Sequence, residues 1–310
     1  VNEASMNTVR WENPYGKCEG LWLKGNLHTH TKEGSPCGTL PVRDVLILYE
    51  EEGYDFLALS DHLKILPEPE GSILLIPGVE WNARAESFPE DAVVPEKHIG
   101  FYSLERGSLL PMMQERTVRG VLDTRKKASP TLSILNHPNW GLVPHWPTEE
   151  MESLFNLVDG IEIYNGVIHR LEGSPFAVDQ WDLMLSRGYR FLGFASDDFH
   201  WATDFGKGWI MARVLEKSAS AIVNALKRGA FYCSTGVVFL DLHREGDTVT
   251  VVTKEPALIR GIGRFQKILY EIVGTKASFR LEGTAEDYLR IEATGEDSAK
   301  AWTQPFFKGT

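Results

Sequence analysis

Leu27-His28-Thr29-His30 sets two histidines one residue apart on an extended segment. Strand side chains alternate with period two, so both imidazoles face the same side and can reach one point, as a metal ion requires. Other ligand types follow where apolar runs end. Asp61-His62 closes the run from Asp55 to Ser60, Glu80 and Trp81 close Ile73 to Val79, and His98 opens His-Ile-Gly-Phe-Tyr. Asn136-His137-Pro138 follows Thr131 to Leu135, and Ser196-Asp197-Asp198-Phe199-His200 follows Arg190 to Ala195. The collected set is His28, His30, His62, Glu80, His98, His137, Asp198 and His200. Six histidines and two carboxylates exceed one tetrahedral zinc and suit two or three divalent ions, with the carboxylates as bridges. Imidazole and carboxylate without thiolate favour Mn, Zn or Fe. Histidines that were merely scattered polar residues would show no bias toward strand ends.

The elements that must carry these groups alternate. Residues 1–20 read as an irregular lead-in and Leu21 to His30 as a first strand. Helical periodicity covers Val42 to Glu52, Leu109 to Lys127, Glu149 to Val158, Phe176 to Arg187 and Ser220 to Lys227, with further strands at Gly160 to Tyr164 and Gly206 to Val214. Strand, polar ligand and helix recur about seven times, the βα alternation of an α/β protein with a parallel sheet. In βα barrels functional groups gather at the C-terminal strand ends, where the candidate ligands stand. The barrel is expected over residues 21–236. From 237 to 310 short alternating segments without helices predict a small antiparallel β module, in which His243 reads as an ordinary surface residue.

The net charge of −11 argues against an extended nucleic-acid footprint but leaves room for a small-molecule substrate in a metal-lined pocket. No apolar run reaches the roughly 18 residues of a membrane span, and Val1 to Arg10 lacks the apolar region of a signal peptide. A soluble, cytoplasmic protein is expected, with a secreted or periplasmic place following only if a leader was removed. Cys18, Cys37 and Cys233 fit neither a disulfide framework nor a zinc ribbon. The sequence is silent on oligomeric state.

His28-Thr-His30, Ser60-Asp-His62, Gly78-Val-Glu80, His98, His137-Pro and Ser196-Asp-Asp198-Phe-His200 resemble, in order, the motifs of the PHP (polymerase and histidinol phosphatase) superfamily. The remainder, to Ala301-Trp-Thr-Gln-Pro, resembles the C-terminal appendage of carbaryl-hydrolase-type PHP proteins. The resemblance implies a distorted (β/α)7 TIM-like barrel with a di- or trinuclear site. It implies that His28, His30, Glu80 and Asp198 hold a first ion, that Glu80 bridges to a second held by His98 and His137, and that His62 and His200 hold a third. The chain departs from the family in the loop Lys32 to Gly38, where an Asp or His is usual; Glu33 or Cys37 are the available substitutes. Asp61 and Asp197 are expected to orient ligands from behind.

The chemistry expected is hydrolysis by a hydroxide shared between two, or among three, cations, with Glu80, Asp198 and His200 as the catalytic carboxylates and imidazole. Neither a Gly-rich phosphate loop nor a Gly-x-Ser-x-Gly elbow is present. The leading reading is a phosphoesterase acting on a small phosphate ester or nucleotide, supported by Lys32, Arg84, Lys97 and Arg170 near the motifs. The alternative is a carbamate, amide or carboxyl-ester hydrolase with an aromatic rim of Trp81, Trp140, Trp146 and Trp201. A PHP scaffold without activity is a third reading, which retention of eight ligands disfavours. Asn165, His169, Arg84 and Trp140 are the candidate substrate contacts, and His145 is ambiguous.

Overall fold

Strands β1 (Leu21–Asn26), β2 (Phe56–Leu57) and β3 (Leu74–Leu75) lie parallel, side by side, in the computed structural model, which describes residues 11–16, 20–69, 71–83, 96–128 and 131–309. Helix α1 (Val42–Glu51) carries the chain from β1 to β2 and buries Val45, Leu46 and Tyr49, one face of a helical period. Gly53, at φ +72, ends it in the left-handed conformation.

The apolar run from Ile73 to Val79 is not one strand. Pro77 lacks the N–H a ladder needs, so Leu74–Leu75 stays with β2 while β4 (Gly78–Ala83) turns to β5 (Lys97–Tyr102). β4 and β5 are antiparallel, as are β5 and β6 (Leu132–Leu135); β6, β7 (Gly160–Asn165) and β8 (Leu192–Ser196) are parallel. β9 (Trp209–Val214) and β10 (Phe231–Ser234) continue from β1 in antiparallel fashion.

The closed TIM-like barrel and the uniformly parallel sheet are therefore corrected. One sheet is β4-β5-β6-β7-β8; β1, β2, β3, β9 and β10 belong to another. The α/β class holds. Two-residue strands at β2 and β3 offer too few ladder bonds to close a ring, and β5 and β9 each run against both of their neighbours. Single-residue bridges, Thr29 to Phe199 and His62 to Glu80, nevertheless join the two sheets, and both involve the ligand segments.

The long helix expected from Leu109 is shortened to α2 (Val118–Lys127). Pro111 interrupts the preceding segment, and the Thr117 hydroxyl accepts the Gly120 N–H as the N-cap. Arg125, Lys126 and Lys127 occupy its last turn, where the helix dipole favours cations. Helices α3 (Thr148–Leu154), α4 (Val178–Ser186) and α5 (Ala219–Lys227) stand within a few residues of where periodicity puts them.

Beyond Val237 the strands are antiparallel: β11 (Phe239–Glu245), β12 (Thr248–Ile262), β13 (Ile268–Arg280), β14 (Tyr288–Thr294), β15 (Lys300–Thr303) and β16 (Phe306–Phe307). β12 and β13 run longer than the short segments expected there, and between Val252 and Ala257 the register shifts to take up Pro256 as a bulge. β15 pairs with β10, so this sheet is continuous with β9, β1 and β2. His243 is half-buried and bonds Asp241 across 2.7 Å. No helix among the described residues is long and apolar enough to cross a membrane.

Candidate metal centre

The loop after β1 is shaped by one carboxylate. Asp61 accepts the Thr31 N–H at 2.7 Å, the Thr31 hydroxyl at 2.8 Å and the Ser35 hydroxyl at 2.7 Å. Gly34 packs so closely on Asp61 that a Cβ there would overlap the carboxyl group, and one at Gly38 would overlap the Thr31 backbone. On the opposite side, Asp197 accepts the Asn26 amide at 2.5 Å, the Tyr49 hydroxyl at 2.7 Å and the Gly206 N–H at 3.0 Å, tying the end of β8 to β1 and α1. Burial raises its pKa to about 7, against the bonds from Tyr49 and Gly206. Two of the candidate ligands sit in left-handed backbone, His137 at φ 33 and Asp198 at φ 52. Such conformations cost energy and collect at functional sites. At Asp198 the turn brings its own carbonyl within 2.8 Å of His200 Nδ1.

Five imidazoles converge on the buried carboxylate of Glu80. Oε1 lies 3.2 Å from His28 Nε2, 3.1 Å from His98 Nδ1 and 3.3 Å from His137 Nε2; Oε2 lies 3.2 Å from His30 Nε2 and from His62 Nδ1. Asp198 Oδ1 is 3.1 Å from His28 Nε2 and 3.3 Å from His30 Nε2. All eight residues named from the sequence thus meet in one place. Among the described residues, ligand atoms fall within 4.8 Å of one another in four groups. They are His28–His30–Glu80, His28–His137–Asp198, His62–Glu80–His98 and His30–Cys37–His62–His200.

The hydrogen bonds behind the histidines fix which nitrogen is free. Glu162 Oε1 is 2.8 Å from His28 Nδ1, and the other groups on Glu162 (the Ser196 hydroxyl, the His137 N–H and the Asn165 amide) all donate, so His28 Nδ1 carries its proton toward it. Ser35 gives its hydroxyl proton to Asp61 and therefore accepts from His30 Nδ1 at 3.1 Å. His200 Nδ1 faces a carbonyl, which can only accept. In the neutral tautomer, Nε2 of His28, His30 and His200 is then a bare lone pair. Lone pairs of His28 and His30 against carboxylate oxygens repel unless a positive charge lies between them. Consistently, Nε2 of His28 and His30, Nδ1 of His62 and Oδ1 of Asp198 are buried without a hydrogen-bond partner. The donor set, imidazole and carboxylate backed by hydrogen-bonded partners, fits divalent cations.

With side-chain charges alone acting, protons take that role in part. Burial opposes charge on His28 and His30, yet Asp198 and Glu80 outweigh it, holding His28 well above the usual range and His30 at about 9. His62 and His200 go the other way, to about 3 and about 4, because burial dominates over the nearby carboxylates. Despite burial, the surrounding histidines hold Glu80 and Asp198 well below the carboxylate range.

A cavity of about 510 Å³ opens above this cluster. His62, Glu80, His98, His137, Asp198 and His200 form its floor, and Pro36, Trp140, Val167, Ile168, Leu171 and Trp201 its mostly apolar wall. Arg170 also lines it, but its guanidinium is engaged by Asp204 at 2.8 and 2.9 Å and stacks 4.3 Å over Trp201.

Several substrate contacts read from sequence are corrected. Asn165 is buried and gives its amide protons to Glu162 and Asp198, at 2.8 and 3.0 Å, so it holds carboxylates in place. His169 bonds the Tyr164 hydroxyl at 3.1 Å and does not line the cavity. Trp81 and Trp146 are wholly buried in the core. Lys97 is held by Glu150 and the His145 carbonyl. His145 accepts the His98 N–H at 3.1 Å and supports that ligand from behind. Glu33 accepts the Val42 N–H at the start of α1, away from the cluster, whereas Cys37 stands within it. Trp140 lines the cavity, and Arg84 lies outside the described residues.

Glu162 and Asn136 escaped the sequence reading. Asn136 donates to Glu80 Oε1 at 2.7 Å, and its signal was adjacency to His137 at a strand end. For Glu162 the signal was one carboxylate inside the apolar strand Gly-Ile-Glu-Ile-Tyr.

No family model matches the chain, and no curated protein does either. Among solved structures, a two-domain protein from Bacteroides vulgatus ATCC 8482, described as containing a predicted PHP-like metal-dependent phosphoesterase, superposes with a TM-score of 0.55 at 17% identity. The alignment covers 96% of this chain and 98% of that one, a likeness of fold over nearly the whole of both chains. PsfC from Pseudomonas syringae PB-5123 gives a TM-score of 0.46 at 10% identity over 66% of this chain and 88% of its own, too slight to bear on the fold.

Proposed function

We propose that this chain is a PHP-type metal-dependent hydrolase, acting most directly as a phosphoesterase on a small phosphate ester or nucleotide. The observation that carries the reading is the two imidazole lone pairs, on His28 and His30 and fixed by Glu162 and Ser35, that point at the carboxylates of Glu80 and Asp198. The likeness in fold to a protein described as a predicted metal-dependent phosphoesterase supports it.

His28, His30, Glu80 and Asp198 would hold one cation, and His98 and His137 a second shared with Glu80. Bound there, such ions lower the pKa of water toward neutrality and polarise the scissile group. The chain's own residues do the rest. Asn136 and Asn165 fix the two carboxylates through Nδ2, so neither swings as charge develops. Trp140 packs edge-on to His137, ring centroids 5.0 Å apart, and shields that imidazole from bulk water. His200 lines the cavity with Nδ1 anchored on the Asp198 carbonyl, which leaves its other ring nitrogen open to that space.

A second reading, hydrolysis of a carbamate, amide or carboxyl ester, is favoured by one observation. The cavity wall is apolar and aromatic, and Arg170, the guanidinium within it, is already paired with Asp204. A phosphate dianion would rely on the ions alone, whereas an aryl or alkyl group would find Trp201, Leu171 and Ile168. Protein loaded separately with Mn, Zn and Fe is assayed on p-nitrophenyl phosphate, bis(p-nitrophenyl) phosphate, naphthyl acetate and a naphthyl carbamate. Metal-dependent turnover of the phosphates supports the first reading. Turnover of the acetate or carbamate alone replaces it with the second, and no metal-dependent turnover of any of the four contradicts both.

A further inference from the structure

Cys37 is one of two substitutes, with Glu33, that the loop Lys32 to Gly38 offers as a ligand, and the fold carries it to the cluster. Its Sγ and one ring nitrogen each of His30, His62 and His200 lie within 4.8 Å of one another. Gly34 and Gly38 permit this placement, the first by close packing on Asp61 and the second against Thr31, so the Ser35-Pro36-Cys37 turn is pressed toward the cavity. His30 is completely buried, and its Nε2 has no hydrogen-bond partner among the surrounding groups. His200 Nε2 is free for the same space, because Nδ1 is taken by the Asp198 carbonyl. The competing substitute, Glu33, is committed to the backbone of α1.

We propose that Cys37, His62 and His200 hold a third cation as a thiolate–imidazole site that prefers zinc, beside positions containing Glu80 and Asp198 that accept harder ions. The proposal rests on the metal-centre reading above and deepens it: the centre is a mixed one, soft at the loop and hard at the strand ends. Thiolate softness selects Zn or Co over Mn, and imidazole and carboxylate do so less. On binding, the S–H bond breaks, an S–metal bond forms, and the proton goes to solvent. If His30 serves the first ion, three protein ligands remain, which leaves a coordination position open toward the cavity, the arrangement of catalytic rather than structural zinc.

Chelator-treated protein is titrated with Co²⁺ and followed by near-ultraviolet absorption and elemental analysis, for the wild type, Cys37→Ser and Cys233→Ser. The wild type and Cys233→Ser develop a sulfur-to-cobalt charge-transfer band; Cys37→Ser lacks it and holds one ion fewer per chain. Independently, peptide mapping of iodoacetamide-treated wild type finds Cys37 alkylated at least about tenfold more slowly after zinc loading, since the bound thiolate is no longer a free nucleophile. A band that survives in Cys37→Ser, or Cys37 alkylation unchanged by zinc while two ions still bind, overturns the thiolate site and leaves the carboxylate centre standing. Binding of no ion at all overturns both.

Discussion

Glu162 Oε1 lies 2.8 Å from His28 Nδ1, and that bond decides which nitrogen of His28 faces the cavity. The same carboxylate accepts the backbone N–H of His137 through Oε2 at 2.7 Å. One buried acid thus aligns two ligands, His28 and His137. Glu162→Gln cannot accept all of these bonds, and partners behind metal ligands typically contribute 10–100-fold to affinity. The expected result is metal affinity lower by about 10–100-fold, measured by competition with a chromophoric chelator. Unchanged affinity would show that the alignment is incidental.

Glu80 has a larger part, because five imidazoles address its two oxygens. Glu80→Gln is expected to lower metal affinity beyond the roughly 100-fold ceiling for a supporting group, and to remove at least one ion per chain. Elemental analysis after gel filtration checks it. A variant that keeps the full metal complement contradicts the shared role of this carboxylate.

Stripping the metals should expose a pH dependence of stability. His30, raised to about 9 chiefly by Asp198 and Glu80 against burial, stabilises the folded chain below its ordinary pKa near 6.5. That contribution is lost as pH rises from about 6.5 through about 9, and His28 acts in the same direction. Thermal unfolding of chelator-treated protein should therefore fall in Tm across this window, while metal-loaded protein falls less. A Tm of stripped protein that rises from pH 6.5 to 9 contradicts the assignment.

Trp201 is half-exposed at the rim and braced by Arg170. Trp201→Ala should raise KM for an aryl ester about 3–10-fold with kcat little changed, the scale of a lost aromatic contact. Steady-state kinetics on the naphthyl and p-nitrophenyl esters decides it. A fall in kcat at constant KM would place the ring in the reaction itself.

The ligand set was legible because each histidine or carboxylate follows a short apolar run, and neighbouring strands that start together end together. His28, His62 and Asp198 could be placed by that rule alone. What lay beyond it depended on contacts distant in sequence. Nothing local to Gly160–Asn165 says that Glu162 faces His28, 134 residues earlier. Asn165 looked like a substrate amide because it ends a strand, but its amide protons were claimed by carboxylates that only the fold brings near. The barrel was overread for a similar reason. Periodicity reports strands and helices but not direction, so β5 and β9 read as parallel members of one ring. Pro77 was the visible warning that the run from Ile73 to Val79 was two strands.

On the proposed function, the imidazole lone pairs facing Glu80 and Asp198 hold divalent cations. Anomalous diffraction collected at the Mn, Fe and Zn edges from crystals of the protein tests it most directly. One peak is expected among His28, His30, Glu80 and Asp198 and another among Glu80, His98 and His137. An absence of anomalous peaks at this cluster in crystals grown with those metals would contradict it.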